Sequence, residues 1–106
     1  MTQYRQGDVL LTRIQRVPKH GTAVPRDQGR IILAYGEVTG HAHELRSTTA
    51  VLETVDLSEG PVTYLTLDEI APLVHEEHGT ILVERGVYRV TRQREYSPEA
   101  IRNVAD

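Results

Sequence analysis

The sequence predicts an all-β protein, a small antiparallel β-barrel or sandwich with a short C-terminal helical turn. Three observations predict this class. Apolar and polar residues alternate with a period of two over many short runs. Turns rich in Gly and Pro separate these runs about every ten residues. The one competing helical stretch, from Asp68 to His75, is interrupted by Pro72, which a helix interior does not tolerate.

The first half of the chain predicts four short strands, a long loop and a glycine turn. The loop runs from Val17 to Gly29 and contains two prolines and two glycines. Gly36 and Gly40 allow the backbone to turn sharply before the third strand. The predicted strands are residues 9–14, 31–35, 41–46 and 51–55.

The second half predicts further strands and one helical start. Pro72 interrupts an apolar run and predicts an edge strand or an extended connection there, because proline cannot donate to a sheet ladder. Ser97 and Pro98 suit the N-cap and first position of a helix, which only a few residues follow. The segments are a strand at 63–67, the apolar run 70–74, a hairpin of 80–83 and 87–94 with its turn at 84–86, and the helical start at 97–100.

Length and composition restrict the functions open to the chain. Its 106 residues suit one domain spanning 1–106, with a core of Val, Leu, Ile and Ala because Phe, Trp and Cys are absent. The lack of Cys excludes disulfides, iron–sulfur clusters and thiol catalysis. No apolar run is long enough for a membrane span or a signal peptide, so we expect a cytoplasmic protein with no membrane partner.

Charge is distributed unevenly along the chain. The net charge is −3, but residues 1–30 carry six Lys/Arg against two Asp/Glu, and residues 31–84 carry one against ten. Residues 85–106 return to five against three. A negative total disfavours non-specific nucleic-acid binding, although the two basic ends would form a patch if they met in the fold.

Two histidine pairs lie in the acidic middle. His41 and His43 are two residues apart in a predicted strand, so both imidazoles project from one face. His75 and His78 are three apart and can converge in a turn closed by Gly79. Neutral imidazoles held around one point by a rigid frame suit a divalent transition metal. We therefore predict one ion (Zn, Fe, Mn or Ni) bound by His41, His43 and one or both of His75 and His78.

Other residues could complete such a site. Glu44 and Glu77 are candidates for a fourth ligand or a general base. The last predicted strand places Tyr88, Arg92 and further Tyr and Arg residues on one face, where arginine could hold a phosphate. The simpler interpretation is that Tyr88 is core and the arginines snorkel at a strand end. The candidates for holding a small polar or phosphate-containing ligand are Arg92, Arg94 and Tyr64.

The string Gly-His-Ala-His-Glu at 40–44, followed later by a Gly-containing hairpin, resembles the small cupins, the double-stranded β-helix family. The resemblance implies a barrel holding a divalent metal through His41, His43 and a later histidine from 75–78. The family's usual Glu would fall near Ser47 and Thr48. The whole chain is also similar to small uncharacterised bacterial or phage-borne proteins, through residues 4–9 and 93–96.

Three function classes therefore remain open, and the sequence does not decide whether the protein is an enzyme. The leading one is a metal-binding β-protein whose metal acts as a Lewis acid or activates water. The second is a metal-free nuclease or phosphotransfer enzyme with two histidines as general acid and base. The third is a non-catalytic interaction module, such as a phage accessory protein whose edge strand pairs with a partner. A homodimer through an edge strand is compatible with all three.

Overall fold

Two antiparallel sheets account for the regular structure of residues 2–36 and 40–92, the part of the chain that the computed structural model describes. The all-β prediction is confirmed, with the sheets arranged like a sandwich and not closed into a barrel. The predicted helical start at 97–100 lies outside the described residues. The strands are β1 (Gln3–Gln6), β2 (Val9–Ile14), β3 (Thr22–Ala23), β4 (Ile31–Tyr35), β5 (Ala42–Leu45), β6 (Val51–Leu57), β7 (Gly60–Leu67), β8 (Ala71–Val74), β9 (Ile81–Val83) and β10 (Gly86–Arg92).

The main core lies between the two sheets. One sheet has six strands in the order β1-β2-β10-β7-β6-β3, and the other has four in the order β4-β5-β8-β9. In the longer strands, alternate residues face inward, as the period of two requires. Burying each such side chain contributes about 1.5–3 kcal/mol. The most deeply buried members of this core are Val9, Leu11, Leu45, Leu65, Leu73, Val83 and Tyr88.

A second apolar cluster covers the other face of the six-stranded sheet. Tyr64 packs there with Val55 and Val62, and it is 4% exposed. Since Leu65 faces the main core, its neighbour Tyr64 faces away from it. The chain after β2 contributes Val17 to this cluster, so part of the predicted loop is held against the sheet.

Pro72 lies in an inner strand, which corrects the edge-strand prediction. β8 pairs with β5 on one side and with β9 on the other. The Pro72 carbonyl accepts the Arg46 N–H at 3.0 Å, where β5 has already ended at Leu45. The N and C=O of a strand residue face the same side, so the N–H that Pro72 lacks would have pointed toward Arg46, beyond the end of β5.

The predicted hairpin after residue 80 is also wrong, because its two strands belong to different sheets. β9 pairs with β8, whereas β10 pairs with β2 and β7. The chain crosses between the sheets at Glu84 and Arg85. Two tyrosines hold this crossing: the Tyr88 hydroxyl donates to the Glu84 carbonyl at 2.7 Å, and the Glu84 N–H donates to the Tyr4 hydroxyl at 3.3 Å. In the described residues no helix is long and apolar enough to cross a membrane.

Candidate functional site

The four histidines of the two predicted pairs lie together in the structure. The ring centroid of His43 is 4.4 Å from that of His75 and 5.9 Å from that of His78. His75 lies 4.7 Å from His78 and 5.8 Å from His41 by the same measure. We call His41, His43, His75 and His78 the histidine cluster.

A carboxylate fastens the two segments that carry the cluster. His41 immediately precedes β5 and His43 lies within it, and the other pair lies in the connection from β8 to β9. Both carboxylate oxygens of Glu76 in this connection accept the Ala42 N–H, at 2.9 and 3.3 Å. Partial desolvation alone would raise the pKa of Glu76, but this backbone hydrogen bond lowers it below the ordinary value. The ionised Glu76 therefore holds the connection against β5.

His43 is the buried member of the cluster, and Gln6 fixes its orientation. The Gln6 side-chain Nε2 donates to the carbonyls of Leu73 and Gly79, at 2.8 and 2.9 Å. The Gln6 Oε1 then faces His43 Nδ1 at 2.9 Å. An amide oxygen only accepts, so Nδ1 carries the proton and Nε2 keeps a free lone pair. Burial lowers the pKa of His43 and favours this neutral ring, although the charge of Asp8 opposes the shift.

Asp8 approaches the free nitrogen of His43 from the turn between β1 and β2. Its Oδ1 lies 3.5 Å from His43 Nε2. Its Oδ2 accepts Arg92 Nε at 2.6 Å, and Arg92 Nη2 donates to the Tyr35 carbonyl at 2.8 Å. Burial alone would raise the pKa of Asp8, but the hydrogen bond and charge of Arg92 lower it. Asp8 is therefore an ionised carboxylate beside the cluster.

The absence of a side chain at Gly7 leaves room for the imidazole rings of His43 and His78. Its φ is +58°, in the left-handed region that favours glycine. A Cβ at this position would lie 2.7 Å from His78 Nε2 and 3.2 Å from His43 Cε1. A side chain at residue 7 would therefore displace these rings.

The exposed side of the cluster is held by its own loop. His75 Nδ1 accepts the N–H groups of Glu77 and His78, at 3.0 and 3.4 Å, so the neutral His75 ring carries its proton on Nε2. His41 Nδ1 lies 3.6 Å from the carboxylate of Glu77, whose side chain is 65% exposed.

Among the described residues, no three His, Asp or Glu side chains are arranged to hold a metal ion as they stand. Binding one therefore requires rotation of imidazoles.

Glu44, predicted as a ligand or base, points elsewhere. It neighbours His43 in β5, so the two side chains project from opposite faces of the strand. Its Oε2 accepts Arg46 Nε at 3.0 Å, and its Oε1 lies 3.7 Å from an Arg30 nitrogen. The structure thus places the Glu44 carboxylate among arginines.

The three predicted ligand-holding residues have different positions. Arg92 meets the histidine cluster through its hydrogen bond to Asp8. Tyr64 is buried in the second apolar cluster. Arg94 lies outside the described residues.

Gln6 and Asp8 are the site residues that the sequence reasoning missed. Both belong to a short polar segment that precedes the first predicted strand, residues 9–14. Gln6 reaches His43 and Leu73 only because β1 packs beside the four-stranded sheet. The local pattern that could have indicated Asp8 is the Gly7–Asp8 pair, because it is typical of a turn and places a carboxylate there.

Comparison with known proteins identifies a family. A family profile described as a domain of unknown function, DUF8820, matches residues 5–93. The match includes Gln6, Asp8 and both histidine pairs. No curated protein and no solved structure matched the chain. The chain belongs to the DUF8820 domain family.

Proposed function

We propose that this protein binds one divalent transition metal ion (Zn, Fe, Mn or Ni) at the histidine cluster. The state of His43 carries the proposal. It is 2% exposed, its Nδ1–H donates to Gln6, and its Nε2 lone pair is free. Histidines that bind metal through one nitrogen almost always donate the other ring N–H to an oxygen in this way.

The other three histidines would close around the ion by rotating their side chains. His43 Nε2 is the anchor, and His41 and His78 turn toward it. His75 must in addition move its proton to Nδ1 and lose the Glu77 N–H as a partner before Nε2 can bind. The resemblance of the His-x-His motif to the cupins supports His41 and His43 as ligands. The set of imidazoles with nearby carboxylates suits Zn, Fe, Mn or Ni.

A metal with an open position would polarise a bound ligand or activate water. Glu77 lies beside His41 and is exposed, so it is the candidate general base. A small polar or phosphate-containing molecule is the class of ligand that fits, because Arg92 places a cation at the margin of the cluster.

The test is elemental analysis of untagged protein purified without chelator. We expect about one equivalent of a transition metal in the wild type and in His20→Ala, a histidine in the loop after β2. The double variant His41→Ala/His43→Ala should lose the metal. His43→Asn provides a second variant, because an asparagine amide can still donate to Gln6 and so preserve the fold. Unchanged metal content in both variants, or a wild type that fails to bind added Zn, Mn, Fe or Ni, would overturn the proposal.

A second candidate function has its own observation. His43 Nε2 carries no proton and could serve as general base, and His75, 4.4 Å away between ring centroids, could serve as general acid in its protonated imidazolium form. This would suit a metal-free nuclease or phosphotransfer enzyme. Phosphodiester hydrolysis that survives chelator and shows a bell-shaped pH profile would favour it. Loss of activity on chelation would exclude it.

A further inference from the structure

The distance between Asp8 and His43 matches that of two ligands of one ion. Asp8 Oδ1 and His43 Nε2 are 3.5 Å apart, which is long for a hydrogen bond. In a tetrahedral site with bonds of about 2.0–2.2 Å, two ligand atoms are separated by about 3.3–3.5 Å. The two atoms thus already have the spacing that a shared metal requires.

We propose that Asp8 is the carboxylate ligand of the metal site and that Arg92 is its positioning residue. The inference rests on the proposed metal binding and names the oxygen donor. The other nearby acids are otherwise engaged or more exposed. Glu44 is paired with arginines, Glu76 accepts the Ala42 N–H, and Glu77 is 65% exposed against 31% for Asp8.

The two carboxylate oxygens of Asp8 have different neighbours, because Arg92 binds one of them and His43 lies next to the other. Arg92 Nε binds Oδ2 at 2.6 Å, which leaves Oδ1 directed at His43. The other end of the guanidinium is anchored on the Tyr35 carbonyl. Because two nitrogens of the guanidinium are hydrogen-bonded, Arg92 is held in place and fixes the orientation of the Asp8 carboxylate. Hydrogen-bond partners of ligating carboxylates have this role in metal sites.

The turn before Asp8 completes the geometry. Gly7 adopts a positive φ and lies against both His43 and His78, so Asp8 enters the cluster from a third segment of the chain. The metal would be held by β5, by the connection from β8 to β9, and by the turn from β1 to β2. A mixed set of imidazoles and a carboxylate favours Zn, Fe, Mn or Ni and disfavours soft Cu(I).

Zinc titration calorimetry and Co(II) absorption spectra test the assignment. Asp8→Asn keeps the size of the side chain but removes the charged ligand, and it should weaken zinc binding by more than tenfold and alter the visible Co(II) bands. Arg92→Gln should weaken binding by about tenfold, the scale for losing a partner of a ligand, and alter the same bands. With Asp8→Asn already present, Arg92→Gln should have little further effect. Asp56→Asn, the same change at an exposed aspartate of β6, should change neither readout.

The outcomes separate the two proposals. If His43→Asn loses zinc while Asp8→Asn retains wild-type affinity and Co(II) bands, metal binding stands and the Asp8 assignment is wrong. If the wild type binds neither Zn nor Co(II), both are wrong. If Arg92→Gln leaves the Co(II) bands unchanged, Arg92 is not a positioning residue.

Discussion

The two halves of the histidine cluster differ in how the fold holds their side chains. On β5, His43 is buried, and both of its ring nitrogens face groups from distant parts of the chain, Gln6 and Asp8. In the connection from β8 to β9, His75 is hydrogen-bonded only to the backbone of its own loop in the contacts described above. His78 is exposed.

The fold therefore fixes the orientation of one imidazole, His43, and leaves the histidines of the β8–β9 connection able to move. A buried polar ring lowers stability unless its hydrogen bonds are satisfied, and Gln6 satisfies that of His43. His43 is therefore fixed before any ligand binds. The loop half can rotate at low cost and supplies the movement that binding requires.

Replacing Gln6 should lower the free energy of unfolding more than any other change considered. Gln6→Leu would leave His43 Nδ1 and the carbonyls of Leu73 and Gly79 without their partner, at about 1–3 kcal/mol for each buried group. We expect a loss of about 3 kcal/mol or more in the free energy of unfolding by urea. Gln3→Leu, on the exposed side of β1, should change it by about 0.5 kcal/mol or less. Equal losses in both variants would show that His43 is not held in the way described.

Gly7→Ala should separate backbone strain from displacement of the rings. The added Cβ would be 2.7 Å from His78 Nε2, and alanine is also strained at a φ of +58°. Gly29→Ala is the matched control, because Gly29 has a φ of +81° and nothing lies within 4 Å of its Cβ position. Strain should lower the unfolding free energy by about 1–2 kcal/mol in both variants. Only Gly7→Ala should lower the unfolding free energy by more than this, and only Gly7→Ala should shift the histidine resonances in NMR spectra.

Metal affinity should distinguish the two halves directly. His43→Asn removes the preoriented nitrogen, so we expect zinc affinity to fall by more than 100-fold. His75→Asn removes a ring that must first change its protonated nitrogen, so its effect should be smaller, about tenfold. Calorimetric titration with zinc measures both. A larger effect at His75 would reverse the assignment of anchor and adjustable ligand.

Tyr88 is a reference for a buried, hydrogen-bonded ring outside the cluster. Burial raises the pKa of Tyr88 to about 12, above its ordinary 10.0. The folded pKa is the higher one, so the contribution to stability is complete below pH 10.0 and is lost as the pH rises through about 12. Tyr88→Phe should lower stability by about 1 kcal/mol at neutral pH through the lost bond to Glu84, and should remove this alkaline loss. Urea unfolding across that range is the check, and zinc affinity should not change.

Local patterns predicted much of the fold. β2 and β4 occur at the predicted residues, because clear runs of apolar residues mark both. β1 and β3 were missed because they are short and largely polar or exposed, and pairing with β2 and β6 makes them strands. The hairpin prediction failed because turn residues do not reveal which sheet the next strand joins.

The candidate site shows the same limit. A spacing of two in a strand and a turn closed by glycine were enough to group the histidine pairs. Gln6 and Asp8 could not be found in this way, because their partner His43 is more than thirty residues away along the chain. Glu44 neighbours His43 in the sequence but faces the other side of β5.

The most direct test is thermal and urea unfolding with and without zinc, on the wild type and His43→Asn. An ion that binds only the folded state stabilises it by about 2.7 kcal/mol at a free concentration 100 times its dissociation constant. We predict that zinc stabilises the wild type by about this amount and leaves His43→Asn nearly unchanged. A wild type that zinc does not stabilise, or equal stabilisation of both proteins, would contradict metal binding anchored by His43.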